Sequence, residues 1–371
     1  MKNFAFALGL LAVCTLPVRA EVHQTQDYTL DVETLVDGLD APWSLAFLPD
    51  GRMLIGERPG RLSIVPAAGG TPEVIDGLEG VTTAGQGGLH GLALAPDFET
   101  SRTMFYCHAS AHDGGVGTAV SRAQLDLSAN RLENVTRIFE QQPAGNTGRH
   151  FGCRLVFDRD GMLFVTTGDR GNMSDMAQDP STGIGKVIRI DTDGKPAPGN
   201  PQLDAWDKRV WSIGHRNIQG ATLHPATGEL WTAEHGARGG DEVNNPQAGR
   251  NYGWPVITYG IDYSGAKIGE GTHKPGMEQP VHYWDPSIAP SGLMIYSGDR
   301  FPEWKGNYFI GALAGTAVSR LVFADGKPVS EERLLQDLDE RIRDVVQGPD
   351  GLIYLLTDSD NGRVLRLRVA D

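Results

Sequence analysis

One strand–turn–strand unit occurs six times in the sequence, and this repeat constrains the fold more than any other feature. In each copy an apolar run is followed by a turn built on Pro, Asp or Gly and then by a second apolar run. The copies begin, on average about 60 residues apart, at Ser44, Gly91, Cys153, Gly220, Gly292 and Asp344. Alternating apolar residues on both sides of such a turn are typical of a β-hairpin. We therefore expect six similar hairpin-based units.

The chain between the copies is long enough for two further strands in each unit. Segments of strand type, such as RLSIVPA after the first copy and VIRIDTDG after the third, support this interpretation. Four strands repeated radially form the blades of a β-propeller, which commonly has four to eight blades. The sequence therefore predicts an all-β fold, a six-bladed β-propeller with four antiparallel strands per blade. A two-sheet sandwich is the alternative, but its strands rarely recur at so long a period.

The segment YTLDVETLV (Tyr28 to Val36) precedes the first copy and has no blade of its own. We expect it to be the outer strand of the last blade. Such an N-terminal strand closes the ring and removes the exposed edges of an open sheet.

The N-terminal segment MKNFAFALGLLAVCTLPVRA has the pattern of a secretory signal. Lys2 precedes a short apolar run, and small residues lead to Ala20. This pattern predicts a signal peptide over residues 1–20, a single catalytic propeller domain over residues 21–371, and a periplasmic location. A membrane span needs about 20 apolar residues, so no stable membrane insertion is expected. A lipoprotein signal at Cys14 is the alternative, but Val13 stands where a small residue is expected.

Charge and cysteine content limit the partners and the compartment. The chain has 33 Lys and Arg against 47 Asp and Glu, a formal net charge of -14. A protein this acidic is a poor candidate for binding nucleic acid or an anionic membrane. A small neutral ligand, or an anion in a locally basic pocket, fits better. In an exported protein Cys107 and Cys153 could pair or could stay buried and reduced, and both alternatives remain open.

Polar, cationic and aromatic residues stand just ahead of five of the six copies. In a propeller the first strand of each blade lines the central channel, so the residues ahead of these strands gather at one end of it. They are Gln86, Arg149, His150, His215, Arg216, Asn217, Gln219, Tyr283, Trp284, Arg341 and Arg343. A concave site with a few convergent polar groups is the expected binding site.

Each of these residues also has a structural explanation. Gln86 precedes a Gly-Gly turn, and His150 could be a core histidine bound to backbone. Arg341 and Arg343 point the same way on an extended segment, which suits a planar ligand with several carboxylates. They could instead pair with Asp339, Glu340 or Asp344.

A second cluster combines EHGARGGDEVN (Glu234 to Asn244) with GRNYGWP (Gly249 to Pro255). The Gly-rich turn exposes backbone carbonyls, and Asp241 and Glu242 add carboxylates. Oxygen donors of this kind suit calcium, although the spacing of an EF-hand loop is absent. A solvated acidic loop is the alternative. The run DTDGKP at Asp191 resembles part of a calcium loop but is expected to be a hairpin turn.

Several common catalytic motifs are missing. The sequence has no GxSxG elbow, no HExxH helix and no Rossmann glycine fingerprint between a strand and a helix. What remains is a histidine suited to act as a general base, cations for an anionic cofactor or substrate, and a candidate calcium site.

Seven runs carry a family resemblance. They are LDAPWSLAFLPDG, GQGGLHGLALAPDF, RHFGCRLVFDRDG, GHRNIQG, EHGARGGDEVN, NYGWPV and RIRDVVQGPDG. They closely resemble the soluble aldose sugar dehydrogenases that use pyrroloquinoline quinone (PQQ), relatives of soluble quinoprotein glucose dehydrogenase. The resemblance extends from about Leu35 to the end of the chain. It implies a six-bladed propeller, PQQ and Ca²⁺ as cofactors, oxidation of an aldose sugar at C1 to a lactone, and an electron acceptor that the sequence does not identify.

The resemblance also implies roles for individual residues. His150 matches the base that removes the proton from the C1 hydroxyl, while hydride passes from C1 to the quinone C5. The positions implied to hold the quinone are Gln86, Arg216, Asn217, Tyr263, Ala312, Leu313, Ala314, Arg341 and Arg343. The implied calcium ligands are Glu242, Tyr252 and the backbone carbonyls of Gly236 and Ala237. This ion would polarise the C5 carbonyl as a Lewis acid.

One position departs from the family pattern. In the run GALAGTAV the family usually has a lysine where this chain has Ala314. Weaker quinone binding or altered redox behaviour would follow, unless Arg341 and Arg343 suffice. Two other functions fit the residues: a calcium-dependent hydrolase of lactonase type, since other six-bladed propellers hold calcium in the channel, and a non-catalytic sugar-binding propeller, for which Ala314 is the main support.

Overall fold

Residues 21–370, the part of the chain that the computed structural model describes, form six antiparallel sheets arranged as the blades of a propeller. The predicted six-bladed β-propeller is confirmed. In every blade the first hairpin is one of the six repeated units, and its first strand lies next to the first strands of the two neighbouring blades. The predicted signal peptide, residues 1–20, lies outside the described residues.

The strands follow one another from the channel to the outside of each blade. The chain begins with β1 (Glu21–Gln24) and β2 (Thr29–Leu39). Blade 1 contains β3 (Pro42–Phe47), β4 (Met53–Glu57), β5 (Arg61–Val65) and β6 (Glu73–Val74). Blade 2 contains β7 (Leu89–Leu94), β8 (Thr103–His112), β9 (Gly115–Asp126) and β10 (Arg131–Glu140). Blade 3 contains β11 (Gly152–Phe157), β12 (Leu163–Thr167), β13 (Lys186–Ile190) and β14 (Val210–Ile213).

The remaining blades follow the same order. Blade 4 contains β15 (Ile218–Leu223), β16 (Leu230–Glu234), β17 (Asp241–Asn244) and β18 (His282–Trp284). Blade 5 contains β19 (Pro290–Ile295), β20 (Tyr308–Ala312), β21 (Ala317–Ala324) and β22 (Lys327–Leu334). Blade 6 contains β23 (Ile342–Gln347), β24 (Ile353–Thr357) and β25 (Gly362–Val369), and is completed by β2.

The N-terminal strand closes the ring as predicted. Strand β2 pairs antiparallel with β25, from Leu30 opposite Val369 to Leu39 opposite Gly362. Strand β1 adds a fifth strand outside β2, with Val22 opposite Asp31, and this extension was not predicted.

Helical structure is confined to short connections. The helix α1 (Phe98–Ser101) lies in the turn of the second repeat. Single 3-10 turns are present at Ser174–Gln178, Pro302–Trp304 and Gln336–Leu338. Within residues 21–370, no helix has the length and apolar character needed to cross a membrane.

The hydrophobic core lies in layers between neighbouring blades. Between blades 2 and 3, for example, Phe105 and Val120 pack with Val165 and Ile188. Each fully buried side chain of this size contributes roughly 1.5–3 kcal/mol. Glycines let the first strands come close together: a Cβ on Gly91 would lie 2.5 Å from the Cys153 carbonyl oxygen. This close approach explains why several of the repeated units begin with glycine.

The first strand of every blade carries a register shift near its start. In β11 the shift lies between Gly152 and Leu155, and in β23 it lies between Ile342 and Asp344. The corresponding shift occurs in β3, β7, β15 and β19. Bulges of this kind kink a strand, re-aim its side chains and are frequent next to active sites. All six therefore shape the same end of the channel.

A disulfide joins blades 2 and 3 and settles the question left open for the two cysteines. Cys107 on β8 and Cys153 on β11 are fully buried, with their Cα atoms 5.5 Å apart and a sequence separation of 46. The bond crosses the layer between the blades next to the segment that carries His150.

Removing this bond is expected to destabilise the fold. We expect the double substitution Cys107→Ala and Cys153→Ala to lower the free energy of unfolding by about 2–4 kcal/mol, because the unfolded chain loses a covalent constraint. Urea denaturation without reductant measures the change. The wild type denatured in the presence of reductant is the control and should lose a similar amount. An unchanged midpoint in the double variant would contradict the prediction.

Candidate active site

A cavity of about 310 Å³ opens at the end of the channel where the first strands begin. Its volume falls within the range of small-molecule sites. Residues from all six blades line it: Trp43, Arg58, Gln86, His90, Phe151, Asn217, Gln219, His235, Ala289, Leu313, Arg341, Arg343 and Asp358. Five of the residues predicted to converge on one rim line this cavity: Gln86, Asn217, Gln219, Arg341 and Arg343. His150 and Arg216 do not line it, and Arg216 faces a smaller cavity beside Glu242.

A buried ion pair closes the channel beneath this cavity. Arg154 Nη1 lies 2.9 Å from Asp344 Oδ1, and the Arg154 guanidinium stacks over the ring of Trp43 at 4.2 Å. Beyond the ion pair lies a second cavity of about 370 Å³, which is lined mainly by apolar side chains and by the ion pair itself. The convergent polar groups therefore belong to the first cavity.

His150 forms a pair with Asp169 at the start of blade 3. The Nδ1 atom of His150 lies 2.6 Å from Oδ1 of Asp169, and the imidazole is 13% exposed. A carboxylate can only accept here, so Nδ1 carries the proton and Nε2 is left to accept one. This contact rules out the alternative that His150 is a core histidine bound to backbone.

Asp169 is itself held in place. Its Oδ1 also accepts a hydrogen bond from the Gly171 amide at 2.8 Å, and its Oδ2 accepts one from Trp254 Nε1 at 2.8 Å. Burial alone would raise the pKa of Asp169, but the hydrogen bond from His150 and the nearby charge of Arg216 keep it below its usual value. The group is therefore a carboxylate that fixes the orientation of the imidazole.

Burial lowers the pKa of His150 from its usual value, and the hydrogen bond to Asp169 opposes this effect. The positive charges of Arg216 and Arg170 lower the pKa further. The imidazole is consequently neutral at neutral pH, the state that a general base requires.

His215, although it lies on the same rim, has a different environment. It is fully buried, its Nδ1 lies 2.9 Å from Glu234 Oε1, and its Nε2 lies 2.9 Å from Ser212 Oγ. Its ring stacks on Tyr252 at 4.9 Å. Both nitrogens are engaged, so His215 holds the fold of blade 4 and has no free nitrogen for chemistry.

Two histidines, His90 and His235, line the cavity. His90 is 2% exposed, and its Nε2 donates to the Gln86 carbonyl at 3.0 Å, which leaves Nδ1 without a partner. His235 likewise has a buried Nε2 without a partner. Burial, together with nearby arginines, lowers the pKa of each to about 3. Both therefore stay uncharged, each with a buried ring nitrogen that has no hydrogen-bond partner.

The opposite wall of the cavity is cationic. Arg341 Nη2 lies 2.9 Å from Asp358 Oδ2, and Arg343 Nη2 lies 3.0 Å from Asp358 Oδ1. The alternative that these arginines pair with Asp339, Glu340 or Asp344 is wrong, because Asp358 holds both. A single carboxylate does not balance two guanidinium groups, so this wall keeps a net positive charge.

The amide and guanidinium groups of blades 2 to 4 complete the rim. Gln86 Oε1 accepts a hydrogen bond from the His150 amide at 3.0 Å, so this residue is more than part of a turn. Asn217 Oδ1 accepts one from the Gly152 amide at 3.1 Å. The Arg216 guanidinium lies 5.2 Å from the centre of the Trp254 ring, and its Nε is buried without a partner.

The Gly-rich cluster is a buried, hydrogen-bonded turn, so the alternative of a solvated acidic loop is wrong. Asp241 is fully buried, and its Oδ1 accepts a hydrogen bond from the Gly236 amide at 2.8 Å. Its Oδ2 accepts from Ser287 Oγ at 2.6 Å and from the amides of Ile288 and Ala289 at 2.8 and 2.9 Å. Both oxygens are thus occupied, and Asp241 anchors the turn.

Glu242, by contrast, faces a very small cavity of about 10 Å³, enough for one ion or one water-sized group. Gly236 and Tyr252 also line it. Burial and the neighbouring Glu234 raise the pKa of Glu242 to about 8, and the hydrogen bond that Asn244 donates to its Oε2 at 2.9 Å opposes this effect.

The other donors of this cluster are carbonyl oxygens. The Tyr252 hydroxyl donates to the Asn245 carbonyl at 2.7 Å, so this residue offers only its main-chain carbonyl. Among residues 21–370 there is no group of three or more His, Cys, Asp or Glu side chains arranged to hold a metal. A cation here would depend on Glu242 and on main-chain oxygens, a donor set that suits calcium.

Some residues of the predicted site lie elsewhere. Tyr263 is 71% exposed and does not line the cavity. Trp284 is a core residue whose Nε1 donates to Glu331 at 3.0 Å, and Tyr283 stacks on Tyr259 at 3.9 Å. Leu313 lines the cavity, whereas its neighbours do not: Ala312 is buried in β20, and Ala314 is exposed.

The sequence analysis did not identify several residues of the candidate site: Asp169, Trp254, Asp358, His90 and His235. The hairpin register could have identified the first of them. Gly152 pairs with Thr167 in blade 3, and counting two residues outward places His150 opposite Asp169. In blade 6, Ile342 pairs with Thr357, which places Arg341 opposite Asp358.

The chain is similar to proteins of known family along almost all of its length. The family model of Glucose / Sorbosone dehydrogenase matches residues 39–366. The aldose sugar dehydrogenase YliI of Escherichia coli is 44% identical over 345 residues, which cover 91% of this chain and 93% of that protein. The crystal structure of the soluble aldose sugar dehydrogenase from Escherichia coli in its apo-form gives a TM-score of 0.89 at 42% identity, covering 92% of this chain and all of the other.

A PQQ-bound aldose sugar dehydrogenase from Streptomyces coelicolor gives a TM-score of 0.79 at 28% identity, covering 95% of this chain and 99% of the other. The resemblance to soluble aldose sugar dehydrogenases noted in the sequence is confirmed. Because the family model matches residues 39–366 and the fold is a six-bladed propeller, the chain belongs to the glucose/sorbosone dehydrogenase family.

Proposed function

We propose that this protein is a PQQ- and calcium-dependent aldose sugar dehydrogenase that oxidises sugars at C1 to lactones. The observation that carries the proposal is the pair of His150 and Asp169 beside a cavity that has a cationic wall. The pair does not line this cavity itself, but Phe151, the next residue in the chain, and Gln86, which accepts from the His150 amide, do. The PQQ bound to the Streptomyces coelicolor relative supports the choice of cofactor. The electron acceptor that follows the quinone remains to be identified by experiment.

In this proposal His150 acts as the general base. Its Nε2 takes the proton of the C1 hydroxyl, and the negative charge of Asp169, 2.6 Å from Nδ1, stabilises the resulting imidazolium. His235 is a poorer choice of base, because burial and nearby arginines lower its pKa to about 3. His215 has no free nitrogen.

The cavity walls suit a planar acid such as PQQ. Arg341 and Arg343 would bind carboxylates, because guanidinium groups match them in geometry and charge. Arg216, Asn217 and Gln86 would hold the remaining polar edge, and the unpartnered acceptors of His90 and His235 suit N–H or O–H donors. When bound, the quinone would accept the two electrons removed from the sugar.

The small cavity beside Glu242 suits calcium. Glu242 would supply a carboxylate, and the carbonyls of Gly236 and Tyr252 would supply neutral oxygens. Ala237 does not line this cavity, so its position gives no support to its assignment as a calcium ligand. The geometry of Tyr263, which is 71% exposed, gives no support to its assignment as a quinone ligand.

The position of Ala314 provides a test of quinone binding. Arg341 Nη1 donates to the carbonyl of Leu313 at 3.2 Å, so a guanidinium already lies next to Ala314. We expect Ala314→Lys to tighten quinone binding about two- to fivefold, the size of a solvent-exposed charge contact. Isothermal titration of the apoprotein with PQQ in the presence of calcium measures it, with Ala314→Met as the uncharged control. Equal affinities in both variants would mean that Arg341 and Arg343 already supply the needed charge.

The activity itself can be tested with purified apoprotein, calcium, PQQ, glucose and an artificial redox dye. The proposal predicts dye reduction that depends on both PQQ and sugar, and that falls when calcium is chelated or when Glu242→Gln removes the carboxylate. Hydrolysis of a lactone without quinone, and without dye reduction, would instead identify the hydrolase. Sugar binding with neither reaction would identify the sugar-binding propeller.

Export to the periplasm is part of the proposal. The disulfide between Cys107 and Cys153 supports it, because such bonds persist in oxidising compartments. N-terminal sequencing of the protein recovered from the periplasm tests it, and a first residue at Glu21 is expected.

A further inference from the structure

The segment that carries His150 has an unusual backbone. His150 has φ of 51°, Gly152 has φ of 64° and Cys153 has φ of 86°. Residues with a side chain rarely adopt positive φ, and each such residue costs of the order of 1–3 kcal/mol unless its surroundings enforce it. Something must therefore hold this segment in place.

Arg170 makes the contacts that hold it. The side chain is fully buried, and its two terminal nitrogens donate to the carbonyls of Thr147 (2.7 Å) and Arg149. In return, the Thr147 hydroxyl donates to the Arg170 carbonyl. These contacts fix the main chain immediately before His150.

Arg170 also fixes the residue after His150. Its guanidinium carbon lies 3.5 Å from the centre of the Phe151 ring. Phe151 in turn packs edge-on to His90, and a Cβ on Gly87 would come within 2.6 Å of its ring. The Arg170 guanidinium thus contacts the chain on both sides of His150. Asp169, the residue before Arg170, holds the imidazole ring itself.

An ion pair does not explain why this arginine is buried. Within residues 21–370 its guanidinium forms no salt bridge, and its Nε has no partner. A buried charge without a paired carboxylate is costly, and burial lowers the pKa of Arg170 to about 10. Its hydrogen bonds go to the main chain on one side of the imidazole.

We propose that Arg170 is a positioning residue for His150, which fixes the imidazole against Asp169 by clamping the carbonyls of Thr147 and Arg149 and stacking on Phe151. The inference rests on the proposed role of His150 as base. A displacement of the order of 1 Å at a reacting group can cost about a hundredfold in rate. The turn formed by Asp169 and Arg170 would then supply both the orientation of the ring and the position of the main chain.

Arg170→Met tests this role, because it keeps an unbranched side chain of similar length and removes the fork of donors. We expect kcat for sugar oxidation to fall about ten- to a hundredfold, with KM and the affinity for PQQ within about twofold of the wild type. Arg170→Lys keeps the positive charge but not the fork of donors. Its kcat should lie between those of the wild type and Arg170→Met. The lysine variant also serves if the methionine variant fails to fold.

A readout without sugar separates positioning from stability. In protein with ¹³C-labelled histidine, the NMR titration of His150, assigned by its loss in His150→Ala, should move to lower pH in Arg170→Lys, because the positive charge is kept while the hydrogen bond to Asp169, which raises this pKa, is weakened. The groups that act on this pKa besides Arg170 are Asp169 and Arg216. In Arg170→Met the lost positive charge raises the pKa of His150 and the weakened contact with Asp169 lowers it, so this variant is judged by kcat.

Arg189→Met is the matched control. Arg189 is a buried arginine of the same blade that donates to the Pro198 carbonyl at 2.7 Å and pairs with Asp158, away from the cavity. The Arg189→Met variant should be less stable than the wild type, but the titration of His150 should not change. If Arg170→Met matches Arg189→Met in kcat, and Arg170→Lys leaves the His150 titration where it is in the wild type, the positioning role is wrong. If the wild type oxidises no sugar, the proposed function fails, and the titration still decides whether Arg170 acts on His150.

Discussion

Replacing His150 with alanine is expected to reduce the rate of sugar oxidation by a factor of about 10² to 10⁴, the usual contribution of a general base. The affinity for PQQ should stay within about twofold, because the charges that would bind the quinone belong to Arg341, Arg343 and Arg216. The expected loss is therefore in kcat. Steady-state kinetics at saturating quinone, together with titration of the apoprotein with PQQ, measure the two quantities.

The control for this variant is His224→Ala. His224 lies in a surface turn of blade 4, where its Nδ1 accepts hydrogen bonds from the amides of Ala226 and Thr227, and it does not line the cavity. Its kcat should match the wild type. Near-normal turnover in His150→Ala would remove His150 from the role of base.

Asp169→Asn is expected to have an effect of similar size. The amide keeps the size of the side chain and can still accept a hydrogen bond from Trp254. Its NH₂ group can donate to Nδ1 of His150, which places the imidazole proton on Nε2, where it blocks proton abstraction. A change of this kind in a catalytic triad lowers kcat by about 10⁴, and we expect a loss of about 10² to 10⁴ here.

The pH dependence gives the sign of the interaction. The base must be neutral, so the rate rises with pH through the pKa of His150 and levels off above it. Because burial lowers that pKa, the rate should reach its plateau by neutral pH. The hydrogen bond to Asp169 raises the pKa. In Asp169→Asn the acid limb should therefore move to lower pH while the plateau falls. A limb that moves to higher pH, or a plateau equal to that of the wild type, would contradict this account.

The fold could be predicted from the sequence because a propeller repeats its signal. Six copies of one hairpin fix the number of blades, and the unassigned segment from Tyr28 to Val36 could only complete the last blade. The short strand β1 (Glu21–Gln24) could not be predicted, because it has no counterpart in the repeat. The disulfide also lay beyond prediction, since 46 residues separate its cysteines and composition alone allowed a reduced pair.

The candidate site could be predicted only in part. Position ahead of each repeat brought Gln86, His150 and Arg343 to one rim. The partners of these residues come from other elements: Trp254 reaches Asp169 across 85 residues of chain, and the three groups that occupy Oδ2 of Asp241 lie 46 to 48 residues away. Side-chain contacts over such distances depend on how the blades pack, which a local sequence pattern does not specify.

Backbone geometry accounts for further differences. The register shift in β11 and the positive φ values at His150, Gly152 and Cys153 give this segment a backbone that a regular strand does not have. In this conformation His150 faces Asp169, and Phe151 packs beneath Arg170. The same kind of local detail separates Leu313, which lines the cavity, from Ala312 and Ala314, which do not.

One measurement tests the central claim most directly. Apoprotein loaded with calcium and PQQ is mixed under anaerobic conditions, without dye, with glucose that carries deuterium at C1, and the products are identified by mass spectrometry. The account predicts one lactone per bound quinone, with the C1 deuterium lost from the sugar, for the wild type and not for His150→Ala within the same time. Glucose recovered unchanged, with deuterium still at C1 and no lactone formed, would contradict it.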